Sequence, residues 1–191
     1  MMADLVYMAI MADPATSTKQ RECERAYKEY VDEHIDNVKE AWQNMQINKK
    51  CMEIIGKYIG SVVSDTFIQT MDNNIGSHDM SKYSMEEWEP YRKNFNPVDD
   101  QEKENNLAEF EKAWDHHKKV NMHHWNWWAE NHKEDKMPLH NVIEMCCDWI
   151  AMSKKFGGDA YNWYKKQTDI VLGNQQKSIV EDLLKAYYDF E

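Results

Sequence analysis

The sequence predicts an all-α fold, a single-domain helical bundle. Three observations carry the prediction. Apolar residues recur at three- and four-residue steps along most of the chain, the spacing that gathers them on one face of a helix. No segment alternates apolar and polar residues over a useful strand length, and six Gly and four Pro are few for a β-rich protein. The chain has 191 residues, 42% of them hydrophobic and 30% charged, enough to close one sizeable core in a soluble globular protein. The expected organisation is an N-terminal arm over 1–16 and one helical domain over 17–191.

The elements follow in order. The apolar start, Leu5 to Met11, is preceded by Asp4 and followed by Asp13-Pro14. It is too short to span a bilayer and lacks the basic flank of a signal peptide, so it reads as an arm docked on the body. Ser17 or Thr18 can cap a first helix reaching about Met45. Its stripe of Tyr27, Tyr30, Val31, Val38, Ala41, Trp42 and Met45 includes His34, which should therefore point inward. A second helix is expected over about Lys49 to Asp72, broken by Asn73-Asn74-Ile75-Gly76. A short helix, interrupted near Pro90, is expected from Glu86 to Phe95. The longest helical signal covers Glu102 to Asn131, where Leu107, Phe110, Trp114, His117, Asn121, His124 and Trp128 form one continuous face. His116 and His123 fall on the adjoining stripe. Pro138 opens a further helix that carries Glu144 and Asp148 four residues apart and stops near Gly157-Gly158. Two more helices, about Asp159 to Leu172 and Gln175 to Phe190, complete the bundle.

Charge and cysteine usage exclude several classes. Net charge is −11 with His neutral, and no Lys/Arg cluster offers the basic face that bulk DNA or RNA binding requires. Cys23, Cys51, Cys146 and Cys147 show neither CxxC spacing nor a disulfide framework, which suits a reduced, cytoplasmic protein with no membrane partner. Homo-oligomerisation is left open.

All eight histidines lie between positions 34 and 140. Imidazoles and carboxylates on apolar helix faces are the usual N/O ligands of zinc, manganese and iron, so a metal site inside the helical core is expected. The cofactor would be one or two divalent ions, Mn, Fe or Zn, with Mg as a further option. Such a centre can hold and polarise a phosphate. Lys82, four residues beyond His78, can lie one turn away and neutralise a phosphate oxygen. Arg92 is a second candidate for phosphate. Asn121, midway along the histidine stripe, can touch substrate, orient a ligand or satisfy a helix contact. Glu144 is a candidate general base or a partner for a ligating histidine, with a surface salt bridge as the alternative. Among the tryptophans, Trp42, Trp125, Trp127, Trp128 and Trp149 include candidates for stacking a base, although core packing is their first reading.

His34, His78-Asp79 and Asp148 together resemble the H…HD…D signature of the HD-domain superfamily of metal-dependent phosphohydrolases. His78-Asp79-Met80-Ser81-Lys82 is similar to the HD-x-[GS]-K segment of its cyclic-dinucleotide phosphodiesterase branch. His123-His124 is similar to the double His of that branch. Ile143 to Met152, with Asp148 at the metal-binding position, is similar to its helix ending in D-x-x-D-A-M. The chain departs from the branch in lacking a GYP segment and in the shorter spacing of His117 and His124. More narrowly, His78 to Tyr91 and Ala113 to Trp125 resemble an uncharacterised family of phage and bacterial proteins, a domain of unknown function with HDxSK and HHxxxNxHHW motifs.

The superfamily resemblance implies an α-helical HD-like fold and hydrolysis of a small phosphorylated substrate, expected to be a nucleotide. Carried over by position, it implies His34, His78, Asp79 and Asp148 as ligands of a first metal. His117 and His124, on the shared stripe, are the candidates for a second. Two other readings keep the same residues: a mixed-valent di-iron oxygenase of HD type, and a non-enzymatic phage protein that binds a nucleotide or a protein and holds a structural metal. A phage origin would place it in the host cytoplasm.

Overall fold

The computed structural model describes residues 7–9, 11–13 and 16–189, so much of the expected arm over 1–16 lies outside the described residues. The described residues are all-α, as expected, with no strand among them. No helix among them is long and apolar enough to cross a membrane. The chain divides into two compact units that interleave in sequence.

The first unit takes 1–33 and 79–121. Helix α1, Thr18–Ile47, begins here, and Ser17 Oγ accepts the Gln20 N–H at 3.1 Å, the capping expected of a serine before a helix. After the 3-10 turn Met80–Tyr83 come α4, Trp88–Phe95, α5, Asp100–Asn105, and α6, Leu107–Val120. Pro90 sits in the first turn of α4, where its missing N–H costs no helical bond. The core of this unit is aromatic. Trp88 meets Tyr27 edge-on at 5.0 Å and Tyr83 stacked at 5.7 Å. Its indole N–H donates to Glu24 Oε2 at 2.7 Å.

Arg92, expected to bind phosphate, is instead fully buried in this core. Its Nε lies 3.1 Å from Glu24 Oε1, and its two Nη atoms donate to both Glu102 oxygens at 2.7 and 2.8 Å. Glu89 adds a third carboxylate at 3.3 Å. A guanidinium taken out of water needs such partners, and here the protein supplies them all. The reading as a phosphate ligand is corrected accordingly.

The second unit takes 34–78 and 122–191. It holds the rest of α1, then α2, Lys49–Ile59, and α3, Asp65–Gly76. From Met122 onward come α7, Trp125–Glu130, the 3-10 turn Glu134–Lys136, α8, Leu139–Phe156, α9, Ala160–Tyr164, and α10, Asn174–Tyr188. Helix α8 is the spine, buried without interruption from Asn141 to Cys147 and packed by α3, α9 and α10. Helix α10 turns Ile179, Val180, Leu183 and Leu184 into the core. Asn48 joins elements from both ends of the unit. Its Oδ1 accepts the N–H groups of Lys50 and Cys51, and its Nδ2 donates to the Ala186 carbonyl. All four cysteines are free thiols.

Three expected helices end elsewhere than periodicity suggests. The second stops at Ile59 because Gly60 adopts φ 76°, the left-handed cap that glycine takes at no steric cost; α3 then restarts with Ser64 as its cap. The expected helix over Glu102 to Asn131 is three helices. Asn106 separates α5 from α6 and donates its amide to the Pro90 carbonyl at 2.7 Å. Asn121 ends α6, its Nδ2 donating to the His117 carbonyl at 3.0 Å, the side-chain competition with backbone that makes asparagine a helix breaker. The helix expected over about Asp159 to Leu172 is only the five residues of α9.

Candidate metal centre and acid–base cluster

Five ionisable side chains meet in the interior of the second unit. His34 comes from α1, His78 follows the Ser77 cap of α3, and His123 comes from the turn between α6 and α7. Glu144 and Asp148 stand one turn apart on α8, the shared face expected of positions i and i+4. His34, His78 and His123 are each at most 3% exposed. His34 thus points inward, as its place on the α1 stripe predicts.

Glu144 Oε1 lies 3.0 Å from His78 Nδ1 and 3.1 Å from His123 Nδ1. Burial pushes the Glu144 carboxyl up, but hydrogen bonds from His123 and His78 outweigh that and hold it below its ordinary range. An ionised carboxylate only accepts, so His78 Nδ1 donates to it, which leaves Nε2 of His78 as the ring nitrogen free to turn elsewhere. His78 Nε2 lies 3.3 Å from His34 Nε2, and His34 Nε2 lies 3.2 Å from Asp148 Oδ1. Burial likewise raises the Asp148 carboxyl, and the hydrogen bond and charge of His34, with the charges of His123 and His78, hold it far below the usual carboxylate range.

The first unit carries a second cluster. Asp79 opens the 3-10 turn with φ 55°, the left-handed region that among non-glycine residues Asn and Asp enter most readily. Lys82 Nζ lies 2.7 Å from Asp79 Oδ2, and His117 Nε2 lies 3.3 Å from Asp79 Oδ1. Glu87, fully buried, spans two histidines: its oxygens are 2.7 Å from His116 Nδ1 and 2.7 Å from His117 Nδ1. Ser81 Oγ donates to Glu87 Oε2 at 3.0 Å and accepts from Asn121 Nδ2 at 2.7 Å. Burial depresses the His117 pKa, but the charge and hydrogen bond of Asp79 and the hydrogen bond of Glu87 win and raise it to about 8.

Residues 23–186 match the model of a family described as Family of unknown function (DUF5662). The chain belongs to that family. No curated protein and no solved structure matches it. The match to DUF5662 takes in every residue of both clusters.

Of the expected metal ligands, His34, His78 and Asp148 come together in one unit. Asp79 and His117 come together in the other, with Lys82 and Asn121. His124 belongs to the second unit and its ring centroid is 4.1 Å from that of His123. It does not share a helix face with His117, because Asn121 ends α6 between them. Sequence reasoning missed two residues. His123 was assigned to an outer stripe by phasing one helix through Asn121; a helix stop at that asparagine was the available signal. Glu87 carries no local signal, since its partners are 29 and 30 residues away.

Buried groups of the second unit could hold a metal ion. His78, His123 and Glu144 each offer a donor atom, all within 4.8 Å of one another. His34 Nε2 in turn has two further donors beside it, Asp148 Oδ1 and His78 Nε2. Their separations, 3.2 and 3.3 Å, match the edges of a coordination shell whose metal–ligand bonds are about 2.0–2.2 Å. Two imidazoles and a carboxylate suit Zn, Mn or Fe.

Proposed function

We propose that this member of DUF5662 is a metal-dependent phosphohydrolase, acting on a small phosphorylated substrate of the nucleotide class in the manner of HD-domain enzymes. The observation that carries the reading is the pair of buried histidines His34 and His78 beside Asp148, with His34 Nε2 3.2 Å from Asp148 Oδ1 and 3.3 Å from His78 Nε2, and Glu144 behind them. His34, His78 and Asp148 would hold a divalent cation of the Mn, Fe or Zn class. Such a cation supplies Lewis-acid polarisation of a phosphoryl oxygen. Glu144 accepts the Nδ1–H of His78 and so presents Nε2 of His78 as a ligand, the carboxylate–histidine arrangement common to metal sites. Asp148, anionic across the working pH range, offsets the positive charge.

The test is elemental analysis of untagged full-length protein, wild type beside His78→Ala and Asp148→Asn, followed by phosphate release from a panel of phosphoesters. The expected result is bound metal and phosphate release in the wild type, both lost in each variant. Wild-type protein that stays metal-free after incubation with Mn²⁺, Fe²⁺ and Zn²⁺ overturns the reading and leaves a binding protein. Iron with dioxygen-dependent turnover and no phosphate release replaces hydrolysis by oxidation.

A further inference from the structure

The second unit contains a cavity of about 570 Å³ that the metal centre does not use, lined by Trp149, Met152, Ser153, Phe156, Gly158 and Trp163. We propose that it binds the planar aromatic group of the substrate, a nucleobase, while the phosphate lies toward Asp148. This rests on the phosphohydrolase reading and adds to it the moiety that is recognised.

Placement is the first argument. The cavity is built on the C-terminal half of α8, the helix that carries Glu144 and Asp148. Met152 follows Asp148 at i+4 on the same face, and Phe156 follows one turn later. Helical rise puts them about 6 and about 12 Å along the axis from Asp148. A nucleotide spans a distance of that order from phosphate to base. Side-chain burial agrees: Asp148 retains 15% exposure, so the carboxylate end of this stripe is accessible.

Shape and chemistry are the second. Pockets for small ligands hold about 300–1,000 Å³ and are lined mainly by apolar and aromatic groups with few polar ones. Here Ser153 is the single polar side chain of the lining. Trp149 and Trp163 stand at 67° with centroids 5.2 Å apart; Trp149 is 8% and Trp163 42% exposed, so Trp149 forms the floor and Trp163 offers the open aromatic surface. Trp149 is fixed from behind by stacking with Tyr164 at 5.6 Å. Phe156 and Trp163 are 72% and 42% exposed, unusual for such rings unless something covers them. Stacking on indole suits any base, because every base has a π-face.

The test separates this site from the metal centre. Binding of free nucleosides, which lack phosphate, is measured calorimetrically on the full-length protein alongside ribose 5-phosphate, which lacks a base. Phe156→Ala alters a ring that is 72% exposed and Trp163→Ala one that is 42% exposed, so the Phe156 variant in particular should keep its fold. The expected result is nucleoside binding that each substitution weakens about five-fold or more, with metal content unchanged. No nucleoside binding, or binding that neither substitution alters, overturns the proposal even if metal and phosphate release are found. Self-association lost in Phe156→Ala, without nucleoside binding, also overturns it and makes the surface an interface between copies. Failure of the phosphohydrolase reading shows instead as absent metal, and nucleoside binding would be scored independently of it.

Discussion

Replacing Arg92 by methionine tests whether that side chain holds the first unit together or waits for a phosphate. Methionine keeps an apolar stem of similar length and removes the charge. Glu24, the partner with no exposure, is left in place, whereas Glu89 and Glu102 are 36% and 22% exposed and regain water. Breaking a buried pair on one side costs about 3–5 kcal/mol, which in a chain of this size lowers Tm by about 6–20 °C. The loss should depend on pH. Burial first, and the charge of Glu89 next, raise the Glu24 pKa from 4.5 to about 7, while Arg92 and the Trp88 hydrogen bond pull it down. A carboxyl raised in the folded state contributes stability that is complete below its unfolded value and is lost as pH rises through the folded one. Without Arg92 the folded value climbs further, so the deficit of Arg92→Met relative to wild type should widen above pH 7 and narrow toward pH 5. Thermal unfolding followed by circular dichroism on both sides of neutrality measures this. A deficit under about 1 kcal/mol at every pH, the scale of a surface ion pair, would refute the argument. Loss of inorganic phosphate binding at unchanged stability would reinstate Arg92 as an anion ligand.

Glu144→Gln puts a neutral amide where a carboxylate now accepts the His78 Nδ1–H, so chelator competition should show metal affinity reduced about 10–100-fold; unchanged affinity would remove Glu144 from the centre. In metal-free protein, Glu87→Gln should lower the His117 pKa from about 8, read from its ring-proton NMR titration. Because a raised histidine stabilises fully below 6.5 and loses that contribution as pH rises through about 8, the variant should also lose stability mainly below that window; an unmoved titration would separate Glu87 from His117. Gly173→Ala places a Cβ 2.6 Å from Asp135 Cα and 2.6 Å from Gln176 Oε1. The glutamine can shift, although its Nε2 already ties the carbonyls of Asp135 and Met137, but the backbone cannot, so a loss of about 1–3 kcal/mol is expected; an unchanged Tm would show that this turn yields.

Local signals were readable and tertiary ones were not. Helix α1 and the start and stop of α8 follow from Ser17, Pro138 and Gly157, whose effects depend on their own backbone and immediate neighbours. The inward aim of His34 follows from its stripe. Periodicity fails at Gly60 and Asn121 for a common reason: the apolar phase survives a break when both pieces bury a face, so only the cap residue marks it. At Asn121 the consequence is large, because α6 belongs to the first unit and α7 to the second, and the seeming continuous face of His117 and His124 is divided.

The sites themselves show what spacing omits. Each unit contains a buried glutamate set beside the Nδ1 atoms of two histidines, Glu87 with His116 and His117, Glu144 with His78 and His123. Adjacent residues on a helix diverge, yet His116 and His117 reach one carboxylate, because its two oxygens face different ways. For Glu144 the partners come from the two separate sequence segments of the unit, His78 being 66 residues away. A carboxylate so placed cannot be told from a surface salt-bridge former by its neighbours in sequence, since α8 reads simply as apolar with two acids. What distinguishes it is desolvation. An acid on a helix buried without interruption from Asn141 to Cys147 costs several kcal/mol unless it is paired or hydrogen-bonded, so the His78 Nδ1–H on Glu144 Oε1, with His123 Nδ1 3.1 Å from the same oxygen, is the condition for burying it at all. That condition also leaves the Nε2 side of His78 basic, which is why the arrangement that makes the interior of the second unit tolerable is the one that suits it to a cation.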